Sequence, residues 1–204
     1  MKTVHDTASP RHASPNREPA PAPYYVLRYL AVAVASMLLG SPSVCAQRPK
    51  ATDYQVKAAY LYNFGRFVEW PSEAAATKAN AFTVCILGQD PFGAHLDTIL
   101  AGETIGGRHV VAKRISSPQE SVSCQILFVG STEGNRLGNI IDILDKEAVL
   151  TVSDMAEFSQ RGGMIQFVPE GNRVRFEVNL AATQRAHLTL SSELLKVATS
   201  VRRN

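Results

Sequence analysis

Residues 124–130 read CQILFVG, an almost wholly apolar run of strand length closed by a glycine, and FTVCILG at 82–88 repeats the form. A strand with one face in water alternates apolar and polar residues, so runs as continuous as these are expected of strands buried on both faces in a parallel sheet. HVVAKRI at 109–115 and AVLTVSD at 148–154 supply two further strands. Parallel neighbours need crossover connections, and helical signals stand between these runs. Asp90-Pro91 is expected to start a helix reaching about Leu100, with the proline near its first turn. Leu137, Ile140, Ile141 and Leu144 repeat at helical spacing within Thr132–Lys146, and Met155–Gln160 reads as a short helix ended by Gly162-Gly163.

The flanks of this unit differ from it. Upstream, Thr52 and Gln55 have capping-box spacing, and Val56, Tyr60, Phe64 and Phe67 recur at helical intervals until Trp70-Pro71 stops the pattern. Ala58, Leu61, Tyr62 and Gly65 leave that helix without a polar face, which implies cover on two sides, by the core and by a partner. Downstream, MIQFV at 164–168 and RVRFEVN at 173–179 alternate around Pro169-Glu170-Gly171-Asn172, the pattern of a hairpin. A helix is expected from Leu180 with Asn179 as its cap, then extended HLTLS, then a last helix from Ser192 to about Val201. The fold class is therefore α/β: a single-domain sandwich with a mixed, largely parallel central sheet, a C-terminal β-hairpin and flanking helices. No repeat and no linker interrupts residues 51–201.

The 204 residues, 45% hydrophobic and 19% charged, suit one globular domain. YLAVAVASMLLG at 29–40 is uncharged, follows Arg28 and precedes Ser41-Pro42-Ser43. It is short for a membrane span, and with Val44-Cys45-Ala46 it has the parts of a secretory signal cleaved after Ala46. The expected division is a signal segment at 1–46 and an α/β domain at 47–204, exported to the periplasm. A lipoprotein signal acylated at Cys45 is the rival reading, disfavoured because Pro42, Ser43 and Val44 lack the expected preceding pattern. Setting aside Lys2, Arg11, Arg17, Arg28, Asp6 and Glu18 lowers the 21 basic and 18 acidic side chains to 17 and 16, a net charge of +1. A nearly neutral chain without a Lys/Arg block gives nucleic-acid binding no support.

Removal of Cys45 leaves Cys85 and Cys124, an even pair in a compartment that permits disulfides. One bridge and two buried free thiols are both open on this count. Their separation of 39 positions fits no zinc pattern, and His95, His109 and His187 fall on separate elements, so neither a metal nor a cofactor is expected. Gly88-Gln89-Asp90-Pro91-Phe92-Gly93 follows a strand and opens a helix, where phosphate loops lie, but it lacks the Gly-Lys-Ser/Thr ending and the GxGxxG order. Gly130-Ser131-Thr132-Glu133-Gly134 is no nucleophile elbow, and Ser131 reads as a turn or cap residue. No catalytic residue is assigned, and the chain is read as a protein that is not an enzyme.

One polar pattern remains. On 173–179, Val174, Phe176 and Val178 point one way and Arg173, Arg175 and Glu177 the other, as an outer face or as a surface that receives a partner. The motifs YLYNFGRFVEWP at 60–71, CILGQDPFG at 85–93, CQILFVG, VLTVSD at 149–154, RGGMIQFV at 161–168, RVRFEVNLAA at 173–182 and LTLSSELLKVA at 188–198 together resemble the YfiR family over nearly the whole exported chain.

That resemblance implies a periplasmic α/β repressor without catalytic activity. Its expected partner is the periplasmic sensor domain of an inner-membrane diguanylate cyclase, held inactive until an outer-membrane lipoprotein sequesters the repressor, so that release raises cyclic di-GMP and favours biofilm. A homodimer is a further expected assembly. The resemblance also implies a bridge between Cys85 and Cys124, whereas the family namesake's second, closely spaced pair is replaced by Ser159 and Gln166. A repressor of this kind needs an exposed apolar patch rimmed by charge. Phe67 and Trp70 near Arg66 and Glu69 form one candidate, and Arg175 with Glu177 the other. The alternative is an envelope small-molecule-binding protein serving a different receptor or sensor kinase, its ligand held by the turn after the first strand and the polar strand face.

Overall fold

A computed structural model of the chain describes residues 52–71, 81–171 and 173–203. The signal segment, its cleavage site and Cys45 lie outside the described residues, as does Asn172 of the hairpin turn.

Helix α1 (Asp53–Phe67) starts where the capping box places it: Thr52 accepts from the Gln55 amide, and the Gln55 side chain accepts from the Thr52 amide at 2.8 Å. It ends three residues before Trp70, because Val68–Glu69 extends as β1 and pairs antiparallel with β9 (Thr189–Leu190). The other described strands form one sheet in the order β10 (Ser200–Arg202), β8 (Arg173–Asn179), β7 (Ile165–Glu170), β6 (Leu150–Ser153), β5 (Ile126–Val129), β2 (Ala81–Leu87), β4 (Arg108–Ile115), β3 (Thr104–Ile105). Its parallel centre holds β2 (Ala81–Leu87), β4 (Arg108–Ile115), β5 (Ile126–Val129), β6 (Leu150–Ser153) and the start of β7 (Ile165–Glu170). Two pairings are antiparallel: β3 (Thr104–Ile105) folds back on β4, and β7 forms the hairpin with β8 (Arg173–Asn179). The sheet is thus the expected mixed, largely parallel one.

Burial on two faces explains the continuous apolar runs. From the central strands, Phe82, Val84, Ile86, Ile126, Phe128, Leu150, Val152, Ile165 and Phe167 join Phe176 and Val178 in one core, which includes Ala58, Leu61 and Phe64 of α1. Cys85, Leu87, Leu127 and Val129 point the other way, into a smaller core with Leu137, Ile140, Leu144 and Phe158. Phe64 stacks against Phe167 and meets Phe176 edge-on, so α1 is covered by the sheet.

Several expected helices are shorter. α2 is Ala94–Leu100, because the Asp90 carboxylate turns back to accept from the amides of Phe92 and Gly93 and holds Pro91 in a turn. Thr132–Lys146 divides into a 3-10 helix, Ser131–Arg136, and α3 (Leu137–Ile143). Met155–Gln160 forms turns, not a helix, with Glu157 at φ 60°. Asn179 caps α4 (Leu180–Arg185) through its side chain, as expected. The last helix, α5 (Ser192–Val197), stops early, and Ser200–Arg202 becomes β10, parallel to β8 at the sheet edge. Among the described residues no helix is long and apolar enough to cross a membrane.

Candidate functional site

An open parallel sheet offers a ligand crevice where strand order reverses, here between the carboxyl ends of β2 and β5. In this chain the crevice is filled. Gly130 donates to the Leu87 carbonyl at 2.9 Å, and Thr132 Oγ1 accepts from the Gln89 amide at 3.1 Å. A Cβ on Gly88, whose φ is +85°, would lie 2.7 Å from the Thr132 and Glu133 side chains, and one on Gly130 would lie 2.8 Å from the Gln89 carbonyl oxygen. Asp90, the only acid in the turn, is held by the Arg114 Nε at 2.9 Å. Arg114 also reaches Asp97 at 2.6 and 2.8 Å and the Gly93 carbonyl at 2.9 Å. That hydrogen bonding holds the Asp97 carboxyl below its ordinary range and raises Arg114. The Gln89, Phe92 and Gly93 amides and the Asp90 carboxylate are therefore engaged inside the protein.

Further along the carboxyl edge, Asp154 follows β6. It accepts from Lys57 Nζ at 2.6 Å and from the Tyr54 hydroxyl at 3.0 Å, with the ammonium 4.3 Å from the Tyr54 ring centre. Burial, then the Asp154 charge, pushes the Tyr54 phenol upward. A cavity of about 320 Å³ opens beside this cluster, lined also by Asp53, Phe167 and Arg173. Sequence reading missed this network, although an acid directly after a buried parallel strand was a positional signal for it.

Arg66, Phe67 and Trp70 are brought to one end of α1. A groove of about 460 Å³ runs there between Arg66, Glu69 and Trp70 on one side and Thr104, Ile105, Gly106 and Arg108 on the other. Its floor is Phe82, which Trp70 meets edge-on with ring centres 5.2 Å apart and over which Arg108 lies at 5.5 Å. Phe67, the last residue of α1, is 38% exposed and does not line the groove. Arg108 went unrecognised in the sequence, because one arginine after Gly106-Gly107 looks like any hairpin residue.

Arg175 and Glu177 lie elsewhere. They alternate with Phe176 and Val178, which face the α1 core, so they project from the opposite face of the sheet. Both are half-buried, not fully outward. Arg175 Nε stands 3.2 Å from Glu170, close enough for an ion pair but without hydrogen-bond alignment. Glu177 accepts from the Ser159 hydroxyl at 3.4 Å, while the Ser159 amide donates to Gln166 Oε1 at 3.0 Å. Asn179 Nδ2 adds a bond to the Ser159 carbonyl at 2.8 Å. Ser159 and Gln166, which the resemblance sets at about the positions of the namesake's second cysteine pair, are thus joined by one hydrogen bond. Cys85 and Cys124 are bonded as a disulfide, their Cα atoms 6.0 Å apart and both side chains buried.

The fold and these sites define a disulfide-bonded α/β protein whose sheet-end crevice is closed and whose distinctive features are surface grooves and a charged strand. The chain belongs to the DUF4154 family, described as YfiR/HmsC-like, which matches residues 54–199. Membership associates it with periplasmic regulation in the setting of cyclic di-GMP signalling and with a regulatory rather than a catalytic class. A search of curated proteins finds no match. Among solved structures, a conserved domain protein from Vibrio cholerae O1 biovar El Tor is similar at a TM-score of 0.46 and 11% identity, over 60% of this chain and 55% of that one. The ABC domain from Streptococcus pneumoniae, solved in complex with L-Trp, is similar at 0.42 and 14%, over 63% of this chain and 59% of that one. The chain therefore spans little more than half the length of either.

Proposed function

We propose that the protein is a periplasmic repressor that binds the periplasmic domain of an inner-membrane sensor, a diguanylate cyclase, and controls cyclic di-GMP and biofilm formation. The observation that carries this reading is the family match over residues 54–199. The filled crevice at the strand-order reversal supports it, since the position most used for cofactors in such sheets is occupied by Thr132 and Glu133. Repression needs no chemical step. A protein that prefers the inactive sensor shifts the sensor's equilibrium by its differential affinity for the two states. An outer-membrane lipoprotein that competes for the same surface would relieve it.

The two candidate surfaces, Arg66, Phe67 and Trp70 at the end of α1 and Arg175 with Glu177 on β8, lie on opposite faces of the sheet, so they suit two different partners or a partner and a second copy. Deletion of the gene should raise cyclic di-GMP, and the purified protein should retain the sensor's periplasmic segment in a pull-down. Unchanged cyclic di-GMP after deletion would reject the cyclase as the target. The second reading, an envelope small-molecule receptor, draws on the cavity beside Lys57 and Asp154. Concentration-dependent thermal stabilisation by a metabolite would favour it.

A further inference from the structure

Lys57 and Asp154 both line the cavity of about 320 Å³, and their side chains stay 14% and 16% exposed, within reach of a small solute. Among the described residues the Lys57 ammonium makes one hydrogen bond, to Asp154 Oδ2 at 2.6 Å, and that same oxygen accepts from the Tyr54 hydroxyl at 3.0 Å. An ammonium has three N–H donors and a carboxylate accepts at both oxygens. The fold therefore leaves unused donors on Lys57 directly beside an unused acceptor, Asp154 Oδ1.

The contact between the two charges limits what can complete them. A carboxylate or phosphate that reached the spare Lys57 donors would also meet the Asp154 charge, and an ammonium that reached Asp154 would meet Lys57. The rest of the lining does not tip this balance, because Asp53 and Arg173 add one charge of each sign. A hydroxyl escapes the conflict, since it both accepts and donates. Two neighbouring hydroxyls can accept from Lys57 and donate to Asp154 Oδ1, each bond strengthened by its charged partner. Pro169 and Val174, paired across the hairpin, add apolar surface for the C–H side of such a molecule. The volume lies at the low end of the range of about 300–1,000 Å³ for ligand pockets, which suits one ring and not a chain.

We propose that this cavity is a binding site for a neutral polyhydroxylated ring of monosaccharide size, with two neighbouring hydroxyls held by Lys57 and Asp154. The assignment rests on the second reading above, a small-molecule receptor, and deepens it by giving the ligand's chemical class.

Concentrated sugars stabilise most proteins by exclusion from their surface, so the test is a local one. Purified ¹⁵N-labelled protein is titrated with glucose, galactose, mannose and N-acetylglucosamine, and with glucuronate, alanine and acetamide as anionic, zwitterionic and amide counterparts. At least one neutral sugar should move the backbone amide resonances of Asp53, Gly171 and Val174 in a saturable way, at roughly millimolar concentration or below, with the counterparts at least tenfold weaker. Lys57→Met should weaken that response at least tenfold. Should this variant fail to melt cooperatively, Val174→Phe, which keeps every polar group and fills the cavity from β8, should abolish it. Four silent sugars, shifts spread evenly over the surface, or an undiminished response in the folded variant would overturn the site. An equal or stronger response to glucuronate, alanine or acetamide would overturn the polyol assignment and leave the receptor reading standing. Silence of every probe together with no stabilisation in a metabolite screen would overturn both.

Discussion

At the scale of single residues, the turn after β2 and the turn after β5 fit closely against each other. A methyl on Gly130 would lie 2.8 Å from a backbone oxygen, and backbone cannot rotate away as a side chain tip does. Gly130→Ala should therefore destabilise by about 2 kcal/mol, within the range for overpacking, as read by urea denaturation. An unchanged midpoint would show that the two turns can separate. Glu177 poses a different problem, because it is half-buried and its partner is the Ser159 hydroxyl at a long 3.4 Å. Glu177→Lys should lower stability by about 1 kcal/mol or less, since among the described residues no arginine pairs with it and the hydrogen bond lost is weak. If β8 carries the partner surface, the same reversal should cost several kcal/mol of binding by opposing like charges. A melt by circular dichroism and a pull-down with the sensor segment separate the two effects, and normal binding would leave the α1 groove as the interface.

At the scale of elements, the start of α2 is held to β4 by Arg114, which ties Asp90 and Asp97 together. Asp97 has its carboxyl lowered first by the hydrogen bond from Arg114 and then by that residue's charge. A carboxylate whose native value is lowered contributes stability that is full above the ordinary Asp range and lost as pH falls through the native value. The pair is more than a third exposed, so its contribution is screened and amounts to about 0.2–1 kcal/mol. Asp97→Asn should therefore melt slightly lower than the parent at neutral pH, with the gap narrowing as the pH falls below the ordinary Asp range and the parent carboxyl takes up its proton. A gap that persists in acid would assign the effect to packing. The disulfide secures another junction, between β2 and the short segment that leads into β5. It closes a loop of 39 positions, for which chain entropy gives roughly 4 kcal/mol. Replacing both cysteines by alanine should lower stability by about 2–5 kcal/mol in denaturant titrations, whereas reduction without effect on the midpoint would show that the bridge constrains little.

At the scale of the whole molecule, the protein is a curled sheet with unequal cores on its two faces, and its proposed partners must approach from outside it. Export is the condition for every such encounter. Intact mass of the protein from a periplasmic extract should show Gln47 as the first residue, and a lipid-modified Cys45 or an uncleaved cytosolic chain would contradict this. The opposed positions of the α1 groove and the β8 face also allow a regulator to hold one protein while another approaches, which competitive pull-downs with each surface altered would reveal.

The sequence alone determined the parallel centre of the sheet, because CQILFVG and FTVCILG are continuous apolar runs and only burial on both faces explains them. It determined the start of α1 and the cap of α4 as well, since Thr52, Gln55 and Asn179 act on amides three residues away. The hairpin of β7 and β8 was legible for the same local reason. Tertiary structure decided what depends on contacts distant along the chain. Ser200–Arg202 is a strand because β8 offers it a free edge, and Val68–Glu69 leaves the helix because Thr189–Leu190 is there to pair with it. The candidate surface was half legible: Arg66, Phe67 and Trp70 could be read from one helical turn. Arg108 lies 38 positions beyond Trp70, and only the packing of both against Phe82 makes them walls of one groove. Local propensities act over a few residues, whereas the walls of a groove come from segments distant along the chain.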